Sequence, residues 1–268
     1  MSATLEPMDV FREVTGFDEL EEDRPVIEAR YNDPGFPKEN RATFLVDADW
    51  FIQQKRGLTT YDRSEMTPTR RQFAEIIHSV ARTYGNILLV MPSYDEAEWA
   101  TNYLKQSKIV EKEILLDQSS TNKVTEELKQ SFFEESHKVL VTSSHGTLIE
   151  GVDYDGEKLH TVLVCGIPIR GGLRTEAVKN AYEHSFDGNG FEYALLVPAV
   201  RRARQALGRV IRGPDDIGTR ILVDGRYADQ RNSVANEYLS TQERDEATIL
   251  SPDSVFDSLD MFWSVHGK

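Results

Sequence analysis

The sequence predicts an α/β fold built on a mostly parallel sheet. Three short apolar runs, at residues 87–91, 138–142 and 161–166, have the length and composition of buried strands. Segments with apolar residues at helical spacing separate them, for example at residues 73–84 and 124–132. Strands that alternate with helices are joined by crossover connections, which bring successive strands into parallel order.

The length and charge of the chain limit its function. Its 268 residues favour one large domain, or one domain with extensions. The formal net charge is -14, from 45 acidic and 31 basic residues. This balance is unfavourable for a stand-alone nucleic-acid binder, because phosphates need a basic surface. Five arginines fall between residues 201 and 212, so a local positive site is predicted within an acidic field.

The chain has one cysteine, Cys165, within the apolar run at residues 161–166. A disulfide inside the chain is therefore impossible, and an iron–sulfur cluster, which needs several thiolates, is not expected. Cys165 is predicted to pack in the core. The first residues contain no apolar signal segment, and no window reaches the roughly 18 apolar residues of a membrane span. The sequence therefore predicts a cytoplasmic protein.

The first part of the chain predicts a helix and a connector. Apolar residues at helical spacing between Met8 and Val14 precede Gly16, at which the helix is expected to stop. Residues 23–41 contain three prolines and a glycine, which predict an extended connector with turns. A short strand is predicted at residues 43–46.

A helix and a buried strand follow. Thr67 is predicted to be the N-cap of the helix, because Pro68 fits the first helical position. After the strand at 87–91 the chain continues with Pro-Ser-Tyr, and Asp95 is predicted to cap the next helix. Ser93 and Tyr94 therefore fall at the carboxyl end of a parallel strand, where ligands bind in open α/β sheets.

Residues 143–154, which follow the predicted strand at 138–142, are mostly small or polar. Such a loop lets backbone amides approach a phosphate, and Asp153 could accept a hydrogen bond from a sugar hydroxyl or a bound water. Ser144, His145 and Asp153 also carry the groups of a hydrolase triad. The nucleophile elbow G-x-S-x-G is absent, however, and neighbouring side chains of an extended backbone point in different directions, so the triad is the weakest hypothesis.

Residues 200–212 are predicted to form an amphipathic helix that starts near Pro198. On a helical wheel Gln205, Arg209 and Arg212 share one side, while the apolar residues lie on the other. Guanidiniums present planar forks of donors that suit phosphate or carboxylate oxygens. A surface helix whose polar side is merely solvated is the alternative interpretation of the same pattern.

The last part of the chain is predicted to complete the sheet. Apolar spacing and turn residues predict a helix at 176–184, a strand at 114–117 and another at 219–223. Closing helices are predicted at residues 228–239 and 254–263.

Several of these segments together resemble a helicase. Residues Gln205-x-x-Gly208-Arg209-x-x-Arg212 resemble the sixth motif of superfamily-two helicases, residues 92–94 the fourth motif, and residues 150–153 the fifth. Ser-Ala-Thr at residues 2–4, with the helix that stops at Gly16, is similar to the end of a first motor domain. Because the motifs occur in the same order from residue 2 to about residue 226, the chain resembles the XPD/DinG-like DNA helicases in particular.

The resemblance implies a RecA-like three-layer domain, with helices on both faces of a mostly parallel sheet. It divides the chain into a remnant of the first motor domain at 1–25, a linker at 26–41 and the second RecA-like helicase domain at 42–268. The ATP-binding loop G-x-x-x-x-G-K-S/T, the acidic metal-binding motif and the cluster cysteines of the family are absent from this sequence. We therefore expect the carboxyl-terminal half of an ATP-dependent DNA helicase, which works with an amino-terminal half.

The resemblance also implies how this half would serve ATP hydrolysis. In the family, the sixth motif reaches across a cleft to the phosphates of ATP bound by the other domain. Arg209, Arg212 and Gln205 are accordingly expected to be catalytic, with Arg212 as the arginine finger. Gly151, Asp153 and Gly208 are expected to line the nucleotide site. ATP with Mg²⁺ is expected to be bound mainly by the other half, and no metal site is expected in this chain.

Single-stranded DNA is the second expected partner. The resemblance implies that Ser93, Tyr94 and Thr142 hold the strand. It also implies that Asp224 and Arg226 form an internal ion pair near the cleft, rather than acting as catalysts.

A non-catalytic module is the alternative function. A helicase fold retained only for binding protein or nucleic acid would not depend on Arg209 and Arg212. Its binding to nucleic acid would be salt-sensitive and independent of nucleotide.

Overall fold

The computed structural model describes residues 5, 7–21, 24–29, 35–107, 110–118, 122–134, 137–149, 152, 154, 156–170 and 172–268. Within these residues the chain forms one seven-stranded sheet and twelve α-helices.

The sheet is entirely parallel. Its strands are β1 (Arg41–Val46), β2 (Ile87–Met91), β3 (Glu113–Leu116), β4 (Lys138–Ser143), β5 (Thr161–Cys165), β6 (Gly218–Val223) and β7 (Ala247–Leu250). They lie in the order β3-β4-β2-β5-β6-β1-β7, and every neighbouring pair is parallel. The predicted α/β class is therefore confirmed.

Most of the helices lie in the connections that parallel strands require, whereas α1 and α2 precede β1 and α12 follows β7. They are α1 (Met8–Thr15), α2 (Phe17–Glu21), α3 (Gln53–Arg56), α4 (Pro68–Ala81), α5 (Tyr94–Gln106), α6 (Asn122–Phe133), α7 (Leu173–Ser185), α8 (Val197–Leu207), α9 (Gly225–Ala228), α10 (Val234–Glu237), α11 (Thr241–Glu246) and α12 (Val255–Val265).

Both faces of the sheet are buried, which gives the three layers that the sequence predicted. Alternate residues of a strand point to opposite faces. In β2, Leu89 packs in the cluster that contains the apolar residues of α4, α5 and α12. Its neighbours Leu88 and Val90 pack in the cluster on the other face, with the apolar residues of α8. Cys165 is fully buried in the first cluster, as predicted.

Helix α4 begins as the sequence predicted and is held to α5 by a buried ion pair. Thr67 is its N-cap, and the Thr67 side chain accepts a hydrogen bond from the backbone N–H of Arg70. The Arg70 side chain is fully buried and binds both carboxylate oxygens of Glu96, at 2.9 and 3.0 Å. Removal of Glu96 would leave the Arg70 charge buried without a carboxylate partner, which is strongly destabilising.

Helix α8 continues from a π-helical turn at Glu192–Leu196. The backbone N–H of Val197 bonds to the carbonyl of Glu192, five residues earlier. Pro198 has no N–H to offer the preceding turn, and a wider turn before it relieves the mismatch. Helix α8 starts at Val197, next to the predicted start at Pro198, but the chain before it is already helical, so the prediction of a separate helix was wrong.

One prediction about the last part of the chain was wrong, and one pair of elements was missed. The helix predicted at 228–239 is two short helices, α9 and α10, because Asp229 accepts hydrogen bonds from the backbone N–H groups of Arg231 and Asn232. A side chain that binds nearby backbone in this way competes with helix formation. The pair α11 and β7 was not predicted.

The first part of the chain agrees with the prediction where it is described. Helix α1 ends at Gly16, which adopts the left-handed conformation at φ 73°. The Ser-Ala-Thr segment at residues 2–4 lies outside the described residues. The sheet begins at Arg41, one residue inside the predicted linker, after a 3₁₀ turn at Lys38–Asn40.

Candidate functional site

The parallel sheet separates the predicted site residues into two groups. Every strand ends at the same edge, so the loops after β2, β4 and β5 are neighbours at the carboxyl edge. The loop after α8 returns to the start of β6 and therefore lies at the opposite, amino edge.

Ser93 and Tyr94 lie at the carboxyl edge, where β2 passes into α5. Ser93 is the N-cap of α5, and its hydroxyl accepts from the backbone N–H of Glu96 at 3.3 Å. The predicted cap, Asp95, is instead inside the first helical turn. Tyr94 is half-buried, and burial together with the nearby Asp117 carboxylate raises the pKa of its phenol. This corner therefore presents two partly exposed hydroxyls beside a helix start.

Thr142 lies in the neighbouring strand but is fully buried. Its hydroxyl donates to Oδ2 of Asp117 at 2.7 Å. Burial raises the pKa of Asp117, and the hydrogen bond from Thr142 partly offsets this by stabilising the carboxylate. Gly146 closes over the pair: an added Cβ would lie 2.3 Å from Thr142 Oγ1 and 2.6 Å from Asp117 Oδ2. The nucleic-acid contact predicted for Thr142 stays a prediction, and the hydroxyl itself is already engaged.

The turn after β4 brings Ser144 and His145 together, contrary to the prediction that they point apart. The backbone N–H of Gly146 bonds to the carbonyl of Ser143 at 2.7 Å, so the chain is not extended here. Ser144 Oγ lies 3.0 Å from His145 Nδ1. Ser144 is only 5% exposed, which closes its hydroxyl to a substrate. Asp153, the third member of the proposed triad, lies outside the described residues.

At the amino edge, the predicted arginine helix ends earlier than expected. Helix α8 stops at Leu207, so Arg209 and Arg212 follow it in a turn and do not lie on a helix face. Oδ2 of Asp216 accepts the backbone N–H groups of both Arg212 and Gly213 at 2.8 Å. These amides are thereby satisfied without continuing the helix.

The turn after α8 is fixed against the starts of β6 and β1. Val210 is buried, and a Cβ added to Gly218, the first residue of β6, would lie 2.0 Å from Val210 Cγ1. Asn40, next to β1, donates to the carbonyl of Pro214 at 3.2 Å. Arg212 is exposed and Arg209 is half-buried. This anchoring holds the two guanidiniums at one defined edge.

Arg209 connects the segments that resemble the fifth and sixth helicase motifs. Its Nη1 donates to the backbone carbonyl of Val152 at 3.1 Å. The residues on either side of Val152, Gly151 and Asp153, lie outside the described residues. Gln205 is half-buried in the last turn of α8, and Gly208 is exposed at the helix end. Of the predicted nucleotide group, the described members thus lie at the end of α8 or in the turn after it, and Arg209 also contacts Val152.

The arginine cluster predicted between residues 201 and 212 is divided. Arg204 is paired with Glu243, Nε to Oε2 at 2.7 Å, and both side chains are largely buried. Arg201 donates to the backbone carbonyl of Leu5 at 2.7 Å. These two arginines therefore hold α8 to other segments, which leaves fewer of the five for a ligand than the sequence suggested.

The predicted Asp224–Arg226 ion pair is confirmed. Arg226 Nε and Nη2 lie 2.7 and 2.8 Å from the two oxygens of Asp224. Asp224 is fully buried, caps α9 and accepts the backbone N–H of Phe51. The Arg226 guanidinium also lies 5.1 Å from the ring centre of Trp50. The pair fixes the ends of β1 and β6 to each other.

Two residues of this region were missed by the sequence reasoning. Asp117 directly follows β3, and its place after an apolar run is the signal that could have identified it. Trp50 is 47% exposed near the end of β1, which is unusual for a tryptophan.

Within the described part of the chain, no group of three or more His, Cys, Asp or Glu residues is arranged to hold a metal ion. None of the described helices is long and apolar enough to cross a membrane.

The chain is similar in sequence to known helicases. The family model of the helicase C-terminal domain matches residues 76–241, which include both edges described above. Helicase subunit XPD/RAD3 of the general transcription and DNA repair factor IIH from Saccharomyces cerevisiae is 29% identical over 182 residues, covering 58% of this chain and 23% of the yeast protein. A probable ATP-dependent helicase of Methanocaldococcus jannaschii is 25% identical over 257 residues, covering 84% of this chain and 37% of that protein.

Solved structures give the same fold. An XPD helicase structure matches with a TM-score of 0.58 at 15% identity, covering 79% of this chain and 35% of that one. The chain spans about a quarter to a third of the length of such relatives. The sequence match, the fold and the motif order agree, and the chain belongs to the helicase C-terminal domain family of the XPD/DinG-like superfamily-two helicases.

Proposed function

We propose that this chain is the second motor domain of an ATP-dependent DNA helicase and acts with an amino-terminal half that binds ATP. The observation that carries the proposal is the contact between Arg209 and the Val152 carbonyl, 3.1 Å long, at the amino edge of the sheet. It joins two segments that resemble nucleotide-sensing motifs, while Ser93 and Tyr94 are at the opposite edge. A motor needs two such surfaces, one for nucleotide and one for the translocated strand.

The amino edge supplies positive charge to the nucleotide. Arg212 is the arginine finger: its exposed guanidinium stabilises the negative charge that develops on the transferred γ-phosphoryl group. Arg209 and Gln205 support the same phosphate, and Arg209 is oriented by its bond to Val152. Gly151, Asp153 and Gly208 line the cleft.

The amino-terminal half supplies the rest of the chemistry. Hydrolysis of ATP needs a phosphate cradle, a metal ion and an oriented water. This sequence contains no G-x-x-x-x-G-K-S/T loop, and the donors at the amino edge are guanidiniums, which suit phosphate oxygens but do not bind Mg²⁺. Arginine fingers without a cradle do not hydrolyse ATP, so we expect the isolated chain to be inactive.

The carboxyl edge holds the single strand of DNA. Ser93 and Tyr94 offer hydroxyls at the start of α5, where the positive end of the helix dipole favours a phosphate. Thr142 acts indirectly: its hydroxyl fixes Asp117, which lies beside Tyr94. Because the whole chain is acidic, we expect nucleic acid to bind only along these local contacts and not to the protein surface in general.

The test is ATP turnover in the assembled motor, with single-stranded DNA present. The chain is mixed with the amino-terminal helicase half and compared with its Arg212→Ala variant. We expect the variant to lose roughly a thousandfold in turnover, the scale typical of removing an arginine finger. Arg82→Ala, which removes an exposed arginine at the end of α4, is the matched control and should turn over ATP normally. Equal turnover with and without Arg212 would remove the finger assignment.

A non-catalytic binding module is the second candidate. The contacts of Arg201 and Arg204 inside the chain favour it, because two of the five clustered arginines then serve the fold. In that case neither Arg209→Ala nor Arg212→Ala would change turnover of any assembly, and binding of nucleic acid would depend on salt but not on ATP.

A further inference from the structure

A pocket lined by arginines lies beside the carboxyl end of β5. Its volume is about 510 Å³, and we call it the arginine pocket. Its walls come from the loop after β5, the first turns of α7 and the start of α8. The lining residues that carry the argument are Arg170, Leu173, Arg174, Val178, Pro198 and Arg202.

The charge of this pocket is opposite to that of the protein. The chain carries a net charge of -14, yet every charged residue in the described lining is an arginine. Arg170 and Arg174 are exposed, and within the described residues neither takes part in an ion pair. The guanidiniums of Arg170 and Arg174 beside one concavity concentrate positive potential and attract an anion. Nothing in the predicted nucleotide or strand contacts uses them.

The fold gives reasons for this convergence. Gly172 adopts φ 124°, a conformation that L side chains rarely adopt, and so turns the chain from the β5 loop into α7. Arg174 is thereby directed to the same concavity as Arg170, which lies just before the turn. On α8, Arg202 lies four residues after Pro198, so the two share one helix face and line the opposite wall.

Apolar surface accompanies the arginines. Leu173 is 92% exposed and Val178 is 41% exposed, and both line the pocket. Helix α7 has no buried residue along its 13 positions. An inorganic anion would use only the guanidiniums, whereas a nucleotide unit offers a phosphate and an apolar base or sugar surface. The lining therefore matches a nucleic-acid strand with unpaired bases better than a free anion.

The pocket is next to the proposed strand contacts. Strand β5 pairs directly with β2, so their carboxyl ends are neighbours. At Gly166, the first residue after β5, an added Cβ would lie 3.0 Å from Phe51 Cβ and 3.6 Å from Pro92 Cγ. Pro92 immediately precedes Ser93. The β5 loop that leads to Arg170 thus starts against the residue that leads to Ser93 and Tyr94.

We propose that the arginine pocket binds backbone phosphates of single-stranded nucleic acid and extends the strand track from Ser93 and Tyr94 across β5 to α7. The inference rests on the proposed nucleic-acid function of this edge and adds residues to it. Arg170 and Arg174 are the principal contacts, and planar guanidinium forks bind phosphate oxygens in pairs. These contacts are to the backbone, so they add affinity for any sequence.

The experiment measures binding of a fluorescein-labelled oligo-dT of about twelve nucleotides to the full chain by anisotropy, across a salt series. The double variant Arg170→Ala/Arg174→Ala removes two exposed charges. Loss of two phosphate contacts to a single strand lowers the slope of log K against log salt by about 1.4, and weakens binding roughly ten- to thirtyfold near 0.1 M salt. Arg82→Ala/Lys105→Ala removes two exposed charges near the ends of α4 and α5 and should change neither value. Thermal unfolding checks that both variants fold.

The outcomes separate this inference from the proposed function. Unchanged affinity and slope in the double variant, with weaker binding by Tyr94→Ala, would overturn the pocket and leave the strand contacts standing. Weaker binding by the double variant together with normal binding by Tyr94→Ala would support the pocket and remove Tyr94. Failure of the unaltered chain to bind the oligonucleotide would overturn both. Polyglutamate and unlabelled oligo-dT are compared as competitors, with both concentrations expressed as negative charge. If polyglutamate displaced the labelled oligonucleotide at the lower concentration, the pocket would be assigned to an acidic polypeptide and the proposal overturned.

Discussion

At Gly208, the requirements of the fold can be distinguished from those of a bound nucleotide. It ends α8 at φ -67° and ψ 0°, a conformation open to any residue. The nearest atoms to an added Cβ are the Arg204 and Gln205 carbonyl oxygens, at 3.5 and 3.6 Å, which is ordinary contact. The fold alone therefore gives no reason for a glycine here. Close approach of a phosphate to the backbone would be such a reason.

We accordingly expect Gly208→Ala to keep the free energy of unfolding within about 0.5 kcal/mol of the unaltered chain. ATP turnover of the assembled motor should fall at least roughly tenfold, because under the proposed function the methyl group would occupy space next to the phosphate. Denaturant unfolding and turnover are measured on the same preparation. Gly146→Ala provides the contrast: its Cβ would collide with Thr142 Oγ1 and Asp117 Oδ2, so about 1–3 kcal/mol of stability should be lost. Normal turnover by Gly208→Ala would exclude Gly208 from the nucleotide site.

His160 is a buried group whose charge state depends on pH. It is 6% exposed, and its Nδ1 accepts the backbone N–H of Asn86 at 3.1 Å, which requires a neutral ring. Burial, and then the positive charge of His137, lower the pKa of His160 to about 4. Lys112 and Lys268 act in the same direction, while Glu157 opposes them.

In the unfolded chain the pKa of His160 is 6.5, so below pH 6.5 the unfolded chain binds a proton that the folded chain does not bind until the pH approaches 4. The free energy of unfolding is therefore full above pH 6.5 and falls as the pH is lowered toward 4. Between pH 7 and pH 5 we expect His160 to cost the folded state on the order of 2 kcal/mol. Glu246 does not interfere, because its lowered pKa of about 2 affects stability only below about pH 4.5. His160→Gln should be correspondingly less sensitive over this interval in urea unfolding. His184→Gln, an exposed substitution on α7, should keep the full loss. The same pH dependence of the free energy of unfolding in both variants would contradict the role of His160.

At the scale of elements, α12 is attached through one face. Val255, Leu259 and Trp263 are buried, whereas Met261 and Val265 are 71% and 75% exposed. Trp263 contacts the ring of Tyr84, just after α4, and the ring of His160, just before β5. Burial of one large aromatic side chain thus links the last helix to the amino edge of the sheet.

Trp263→Ala should therefore lower the free energy of unfolding by about 3–5 kcal/mol, through lost burial and the cavity left behind. Met261→Ala, two positions away on the same helix, should change it by less than about 0.5 kcal/mol. Urea unfolding followed by circular dichroism gives both values. A similar small effect of the two substitutions would show that α12 contributes little to the fold.

The sequence predicted the elements that are buried on both faces and missed those that are not. Strands β2 and β5 appear as continuous apolar runs because every residue in them is buried. Strand β7 has only Leu250 buried among four residues at the edge of the sheet, so its composition carries no such signal. The end of α8 was missed because Asp216, beyond the helix, captures the amides of Arg212 and Gly213.

The candidate site was predictable in part for the same reason. Ser93 and Tyr94 follow a strand that is apolar throughout, so their place at the carboxyl edge is evident from the sequence alone. The engagement of Thr142 with Asp117 could not be predicted, because it depends on β3 lying next to β4 in the sheet. The sequence order of strands does not reveal their spatial order.

At the scale of the whole molecule, the sheet separates two kinds of contact. The amino edge holds Arg209 and Arg212 beside the Val152 segment, and the carboxyl edge holds Ser93, Tyr94 and the arginine pocket. Both positive regions lie within a chain of net charge -14, so each is a local site in an acidic surround. Under the proposed function, the domain would sense nucleotide at one edge and act on a strand at the other.

ATP turnover in the presence of single-stranded DNA tests whether the phosphate cradle and the arginine fingers belong to two separate halves. It is measured for this chain alone, for the amino-terminal helicase half alone, and for the two together. The account predicts negligible turnover by each half and strong turnover by the mixture, since the phosphate cradle and the arginine fingers are on different halves. Strong turnover by this chain alone would contradict it.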